Sequence, residues 1–194
     1  MRRWNREETI IYNTVQLYRT DRLDYLKSLT SFAKAEKFNV GVKLVRGAYM
    51  EKERARALSL GYPSPIQQDK DATDRDFDAA LEWCVAHLDH VSLCAGSHNE
   101  NSNALLCQNM DKLGIARKDK RVWFAQLLGM SDPISFNLAC ANYQVAKYVP
   151  YGPIAETIPY LIRRAEENTS VAGQTSRELE LIRREKDRRN RTNN

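Results

Sequence analysis

Hydrophobic positions along this chain alternate between two patterns. Short runs rich in β-branched and aromatic residues are followed by longer stretches with apolar residues three and four apart. "TIIYNTVQLY" (9–18) predicts a strand, and "TDRLDYLKSLTSFAKAEK" a helix with Leu23, Leu26, Leu29 and Ala33 on one side and Thr20 or Asp21 as its N-cap. "NVGVKLVRGAY" (39–49) predicts a second strand. "MEKERARALSLG" is a charged helix closed by Gly61, with Pro63 and Pro65 marking a loop after it. Thr73 is placed to cap another helix, with Phe77, Leu81, Cys84 and Leu88 on its inner side. "HVSLCAGSH" (90–98) is a third strand and "NENSNALLCQNMDKLG" a helix ending at Gly114. "RVWFAQLLG" (121–129) is a fourth strand, "DPISFNLACANY" a short helix opened by Asp132 and Pro133, and "VAKYVPYG" (145–152) a fifth strand. A last helix follows, with Ile158, Leu161 and Ile162 as its apolar face.

Strict β–α alternation predicts parallel strands joined by right-handed crossovers. No GxGxxG follows any strand, which removes the main argument for a nucleotide-binding Rossmann unit. The strands end instead in polar or special residues ("NTVQ", "RGAY", "GSHN", "QLLG", "YVPYG"), as the strands of a barrel do at its C-terminal rim. A complete barrel takes about 250 residues, whereas this chain has 194. The predicted fold is α/β, a partial (β/α)8, TIM-like barrel made of about its last five strands with their helices. Residues 1–176 form that barrel portion, and 177–194 a basic tail, helical or frayed.

Composition changes this picture little. With 42% hydrophobic and 28% charged residues, the chain has the balance of a globular protein. No apolar run has the length of a membrane span, and "RRW" at the start has no apolar continuation, which points to a cytosolic or organelle-matrix setting. The net charge of +5 owes much to "RREKDRRNRTNN" (183–194), a solvated tail without the interleaved aromatics that stack single-stranded nucleic acid. Cys84, Cys94, Cys107 and Cys140 form no CxxC pair and sit in apolar segments, so they read as small buried hydrophobes. His87 and His90 lack a third ligand nearby, and no metal site is predicted.

Candidate chemistry lies at the strand ends. Arg46–Gly47–Ala48–Tyr49 closes the second strand: either bare backbone admits a flat or phosphorylated ligand beside a cation, or Gly47 serves a tight turn. Gln16 offers a donor and an acceptor to a heterocycle, or is simply solvated. Ser97, His98 and Asn99 end the third strand; His98 is a general base or part of a helix-capping neighbourhood. Lys43 and Lys147 lie on strands, where a lysine forms a Schiff base, supplies charge near a cofactor, or snorkels outward. In "YLIRRAEEN", Tyr160, Arg163, Arg164 and Glu167 share one helix face. Adjacent arginines can grip a carboxylate bidentately, Glu167 can orient one of them, and Tyr148 and Tyr160 can wall the pocket; the alternative is an exposed Arg–Glu pair.

Taken together, "VKLVRGAYMEKERARA", "GSHNE", "FAQLLGM" and "KYVPYGPIAETIPYLIRRAEEN" resemble proline dehydrogenase, in its monofunctional, eukaryote-like branch, from about Thr9 to about Ser176. The resemblance implies a distorted barrel with FAD across the C-terminal rim. It implies FAD contacts for Gln16, Arg46, Gly47, Ala48 and Tyr49, and for Ser97, His98 and Asn99 along the ribityl, pyrophosphate or adenosine part. Lys43 matches a basic residue beside flavin N5, the catalytic position. Many bacterial members carry arginine there and lysine at the position of Arg46; here the two are exchanged. Arg163 and Arg164 match the pair that binds the proline carboxylate, Leu127, Tyr148 and Tyr160 the pocket wall, and Glu167 the partner of the arginines. The implied reaction takes a hydride from C5 of L-proline to FAD, giving Δ1-pyrroline-5-carboxylate, with electrons passed to a quinone. Peripheral membrane association, on a bacterial inner membrane or the mitochondrial matrix side, goes with that acceptor. No nucleic acid is implied.

The family's earlier strands, with a pocket lysine and an Asp-containing cofactor motif, have no counterpart before Gln16. The sequence therefore predicts an N-terminally truncated form whose parallel edges are unpaired, with poor FAD binding and little activity by itself. Two other readings are a Schiff-base aldolase or isomerase using Lys43 or Lys147, and a non-catalytic fragment.

Overall fold

The computed structural model of the chain describes residues 1–170 and 174–192, with side chains through Arg164 and again from 179 to 191. Five strands, β1 (Tyr12–Gln16), β2 (Val40–Val45), β3 (Val91–Gly96), β4 (Val122–Leu127) and β5 (Val145–Tyr148), form one sheet in the order β1-β2-β3-β4-β5. Every pair is parallel. The crossovers carry α1 (Arg22–Ala35), α2 (Met50–Leu60), α3 (Lys70–Ala86), α4 (Glu100–Lys112) and α5 (Asp132–Cys140). A doubly wound sheet reverses strand order at a switch point, whereas this order advances without reversal, as around a barrel wall.

The pleat sorts the strand residues into two sets. Val15, Val42, Leu44, Leu93, Ala95 and Phe124 face the helices and join Leu26, Phe77, Leu81, Leu106 and Met110 in one core. Each fully buried large apolar side chain there contributes about 1.5–3 kcal/mol. The alternate residues stay outside that core. Thr14, Lys43, Cys94 and Trp123 stand in one row across β1–β4, and Gly96, Ala125 and Ala146 in the next row toward the strand ends.

Below the strands, Asn5 ties the leading segment to the sheet. It is fully buried; its Nδ2 donates to the carbonyls of Ile11 (2.7 Å) and Asn39 (3.1 Å), and its Oδ1 accepts from the amides of Ile10 and Ile11.

The predicted helices appear with corrections at their ends. α3 is capped by Asp69, whose carboxylate accepts from Ala72 N–H, and Thr73 is buried inside the first turns. Asp69 wins because α3 begins at Lys70, about two turns before the apolar spacing starts at Phe77. Asp21 precedes α1 without a side-chain cap bond, its carboxylate being held by Arg22 and Arg19. Gly61 ends α2 in the left-handed region, as predicted. Cys84 is buried and Cys94 and Cys107 are half-buried, but Cys140, at the end of a short helix, is exposed and is not a core residue.

The chain divides into two compact units, Met1–Tyr148 and Val149–Asn194. The second contains α6 (Ile154–Ser170) and α7 (Gln174–Thr192), so the basic segment expected as helical or frayed is helical through Thr192. Pro159 lies inside α6 and removes one backbone donor there. Ile158, Leu161 and Ile162, the apolar face predicted for this helix, are exposed.

Candidate functional site

Four of the sequence-predicted residues come together on the sheet face turned away from the core. Lys43 is in register with Thr14 and Cys94, Gln16 with Val45, and Leu127 with Tyr148. The Lys43 ammonium sits 4.9 Å from the Tyr148 ring centroid, an electrostatically favourable cation–ring contact. Gly96 lies beside the Lys43 stem: a Cβ there would meet Lys43 Cε at 3.1 Å. Lys147 alternates to the other side. Its amine donates to Met130 O (2.8 Å) and Asp132 Oδ1 (2.7 Å), tying β5 to the start of α5. This lysine is a structural tie rather than a Schiff-base candidate.

Just beyond β2, Arg46 is held from three sides. Its Nε donates to Asp74, Nη1 to Ser97 Oγ (2.8 Å) and Nη2 to Ser102 Oγ (2.9 Å), while the guanidinium lies 4.3 Å from the Phe77 ring centroid. Ser102 in turn donates to Asp78 (2.6 Å), and Lys70 donates to the other oxygen of Asp74 (2.7 Å). Burial opposes ionisation of Asp74, but the bonds from Lys70 and Arg46 outweigh it and hold this carboxyl below its usual range. Sequence reading found Arg46 and Ser97 but missed Asp74, Asp78 and Ser102. Their one signal was the acidic spacing of "DATDRDFD", which places Asp74 and Asp78 one turn apart.

Gly47 has φ +119°, and a Cβ would fall 2.1 Å from Tyr18 Cδ1. A tight turn packed on a ring therefore accounts for this glycine. Ala48 is half-buried, and Tyr49 is exposed at the start of α2.

The three residues after β3 divide their tasks. Ser97 is buried and accepts from Arg46 and from Asn99 N–H. Asn99 caps α4 by accepting from Ser102 N–H. His98 is half-buried and its Nδ1 meets Ser131 Oγ at 2.9 Å. Ser131, with φ +52°, precedes α5 and was not found from the sequence. Elsewhere, His87 stacks on Trp83 with ring centroids 3.9 Å apart and bonds the Trp83 carbonyl. Among the described residues no cluster of three or more His, Cys, Asp or Glu is arranged for a metal ion.

The second unit carries Tyr160, Arg163 and Arg164, all half-buried on α6. The Arg164 guanidinium lies 5.4 Å from the Tyr160 ring centroid, one turn away. The Glu167 side chain lies outside the described residues.

Comparison with known proteins gives a consistent result. The family model "Proline dehydrogenase" matches residues 1–177. Human mitochondrial proline dehydrogenase 1 is 43% identical over all of this chain and 33% of its own length. The hydroxyproline dehydrogenase of Xenopus laevis is 41% identical over 97% of the chain and 41% of its own. Among solved structures, proline utilization A from Bdellovibrio bacteriovorus, inactivated by N-propargylglycine, superposes with a TM-score of 0.78 at 29% identity. That match covers 83% of this chain and 17% of the other. The chain thus spans about a third of the length of the human relative.

Proposed function

The chain belongs to the proline dehydrogenase family, and on that premise we propose that it works in the FAD-dependent oxidation of L-proline to Δ1-pyrroline-5-carboxylate, with a quinone as the final electron acceptor. The observation that carries this reading is the row Gly96, Ala125, Ala146 beside Lys43 on the face outside the core. Gly96 gives its space to the Lys43 stem and Val45, where a Cβ would meet Lys43 Cε at 3.1 Å and Val45 Cγ1 at 3.0 Å, and so seats the lysine on this face, while Ala125 and Ala146 beside it add only a methyl each. Gln16 and Lys43 flank the row with donors suited to the carbonyl and nitrogen edge of an isoalloxazine. The residues present therefore fit FAD, which when bound supplies the hydride acceptor.

The chain's own residues do the rest. Lys43 directs its amine to that face, where it would offer a donor to the flavin when FAD is bound. Leu127 and Tyr148 act as the apolar wall for the substrate ring and exclude water. Gly47, Ala48 and Tyr49, with His98, line the strand ends along the cofactor. Arg163 and Arg164 bind the substrate carboxylate, each charge-assisted hydrogen bond contributing about 1.5–3 kcal/mol. The C=N bond forms as the neutral amine's lone pair displaces a hydride from C5, which FAD would accept when bound, and the N–H proton passes to solvent water; this requires no protein nucleophile. Glu167 keeps the arginine pair oriented. The named mitochondrial relatives support a mitochondrial setting. No helix among the described residues is long and apolar enough to cross a membrane.

The test is proline-dependent dye reduction by the full protein loaded with FAD, with hydroxyproline run in parallel. Arg163→Lys is expected to raise KM for proline by roughly ten-fold or more, since an ammonium cannot form the bidentate fork. Borohydride trapping of a substrate adduct on Lys43 without flavin dependence would overturn the reading.

A further inference from the structure

Arg46, just beyond β2, is held in part by α3. Arg46 Nε, Nη1 and Nη2 each meet a separate acceptor: Asp74 on α3, Ser97 after β3, and Ser102 on α4. An ammonium donates from a single point and cannot span three acceptors on three elements. On α3, Asp74, Phe77 and Asp78 fall at i, i+3 and i+4, forming one stripe. Asp74 takes the edge of the guanidinium, Phe77 its face, and Asp78 accepts from the Ser102 hydroxyl that itself accepts from Arg46. Two cations, Arg46 and Lys70, are balanced there by two carboxylates, Asp74 and Asp78. The Arg46 charge is already compensated, so what this residue contributes is position. Its backbone carbonyl accepts from Tyr18 N–H at 2.7 Å, and its side chain fixes Ser97, whose carbonyl accepts from Gln126 and Asn103.

We propose that Asp74, together with Ser102, is a positioning residue for the cofactor site: it acts through Arg46 to set the 46–49 turn and the end of β3 against FAD. This role rests on the functional reading above. Asp74 itself touches neither cofactor nor substrate; its effect is transmitted by one guanidinium held at three points.

The experiment is a double-mutant cycle on FAD affinity, measured by quenching of flavin fluorescence in the full protein. Asp74→Ala is expected to weaken FAD binding about ten-fold, and Asp74→Asn less, because an amide oxygen still accepts from Arg46 Nε. Arg46→Ala weakens binding, and adding Asp74→Ala to it produces no further loss. If Asp74→Ala does not fold by circular dichroism, Ser102→Ala runs through the same cycle. Effects that add in the two backgrounds, or an FAD affinity within two-fold of the parent despite a lowered Tm, would show a merely structural residue and overturn the proposal. An unaltered protein that binds no FAD would overturn the functional reading itself, and this role with it. Normal FAD binding with a silent Asp74→Ala would overturn the role alone.

Discussion

Replacing Gly47 by alanine tests why the strand-end turn has the sequence it has. At φ +119° an L-residue is strained by about 1–3 kcal/mol. The new methyl would also sit 2.1, 2.4 and 2.6 Å from three atoms of the Tyr18 ring. That ring is almost wholly buried and is not the free end of a flexible chain, so backbone or ring must move. Overpacking of this kind costs about 1–3 kcal/mol. The sum is about 2–6 kcal/mol, a large fraction of the stability of an ordinary domain. Urea denaturation read by tryptophan fluorescence measures it as a shift in midpoint at constant slope. A cycle with Tyr18→Ala separates the two parts: removing the ring abolishes the overpacking but leaves the backbone strain, so Gly47→Ala should cost less in that background. A Gly47→Ala protein within 0.5 kcal/mol of the parent would refute the reasoning, as would an equal cost with and without the Tyr18 ring.

Three further outcomes follow from the same structure. Asn5→Ala removes four hydrogen bonds to backbone groups at the base of the sheet and should destabilise the protein by about 2–4 kcal/mol in urea, since Ile10 and Ile11 are partly open to water; a cost below 0.5 kcal/mol would contradict the tie. In a thiol-labelling time course without denaturant, Cys140 should react first and Cys84 last, because Cys140 is exposed while burial raises the Cys84 thiol far above its usual range; early labelling of Cys84 would contradict the packing of α3. The folded carboxyl of Asp74 titrates below its unfolded value of about 3.9. Its contribution is therefore fully present above that value and is lost as pH falls through the folded one, so the stability gap between parent and Asp74→Ala should hold at neutral pH and close in acid.

The strands could be read from the sequence because each is a compact run of β-branched and apolar residues ending in a distinctive polar tip, and their parallel pairing because helices alternate with them. The rim residues were legible for the same reason. Arg46 is a good example of where that legibility stops: its position at a strand end is a local pattern, but its partners Asp74 and Ser102 lie 28 and 56 residues away and meet it only through the crossovers. Asn5 was passed over because nothing in a short polar segment announces that it is buried under the sheet. Lys147 and Lys43 look alike in sequence; only the pleat separates a tie to α5 from a cation on the other face. The cap of α3 was misplaced from Asp69 to Thr73 because apolar spacing marks where a helix starts to bury residues, not where it starts. On α6 the 3.6-residue period was plain, yet periodicity alone does not say what covers an apolar face, and Ile158, Leu161 and Ile162 are exposed.

The most direct measurement is an anaerobic titration of the FAD-loaded full protein with L-proline, followed by flavin absorbance, in the parent and in Lys43→Ala. The account predicts that proline bleaches the oxidised flavin band in the parent, and that the bleaching slows severely once the cation on the small-residue face is gone. A parent whose flavin stays oxidised in excess proline, or a Lys43→Ala protein that bleaches at the parental rate, would contradict it.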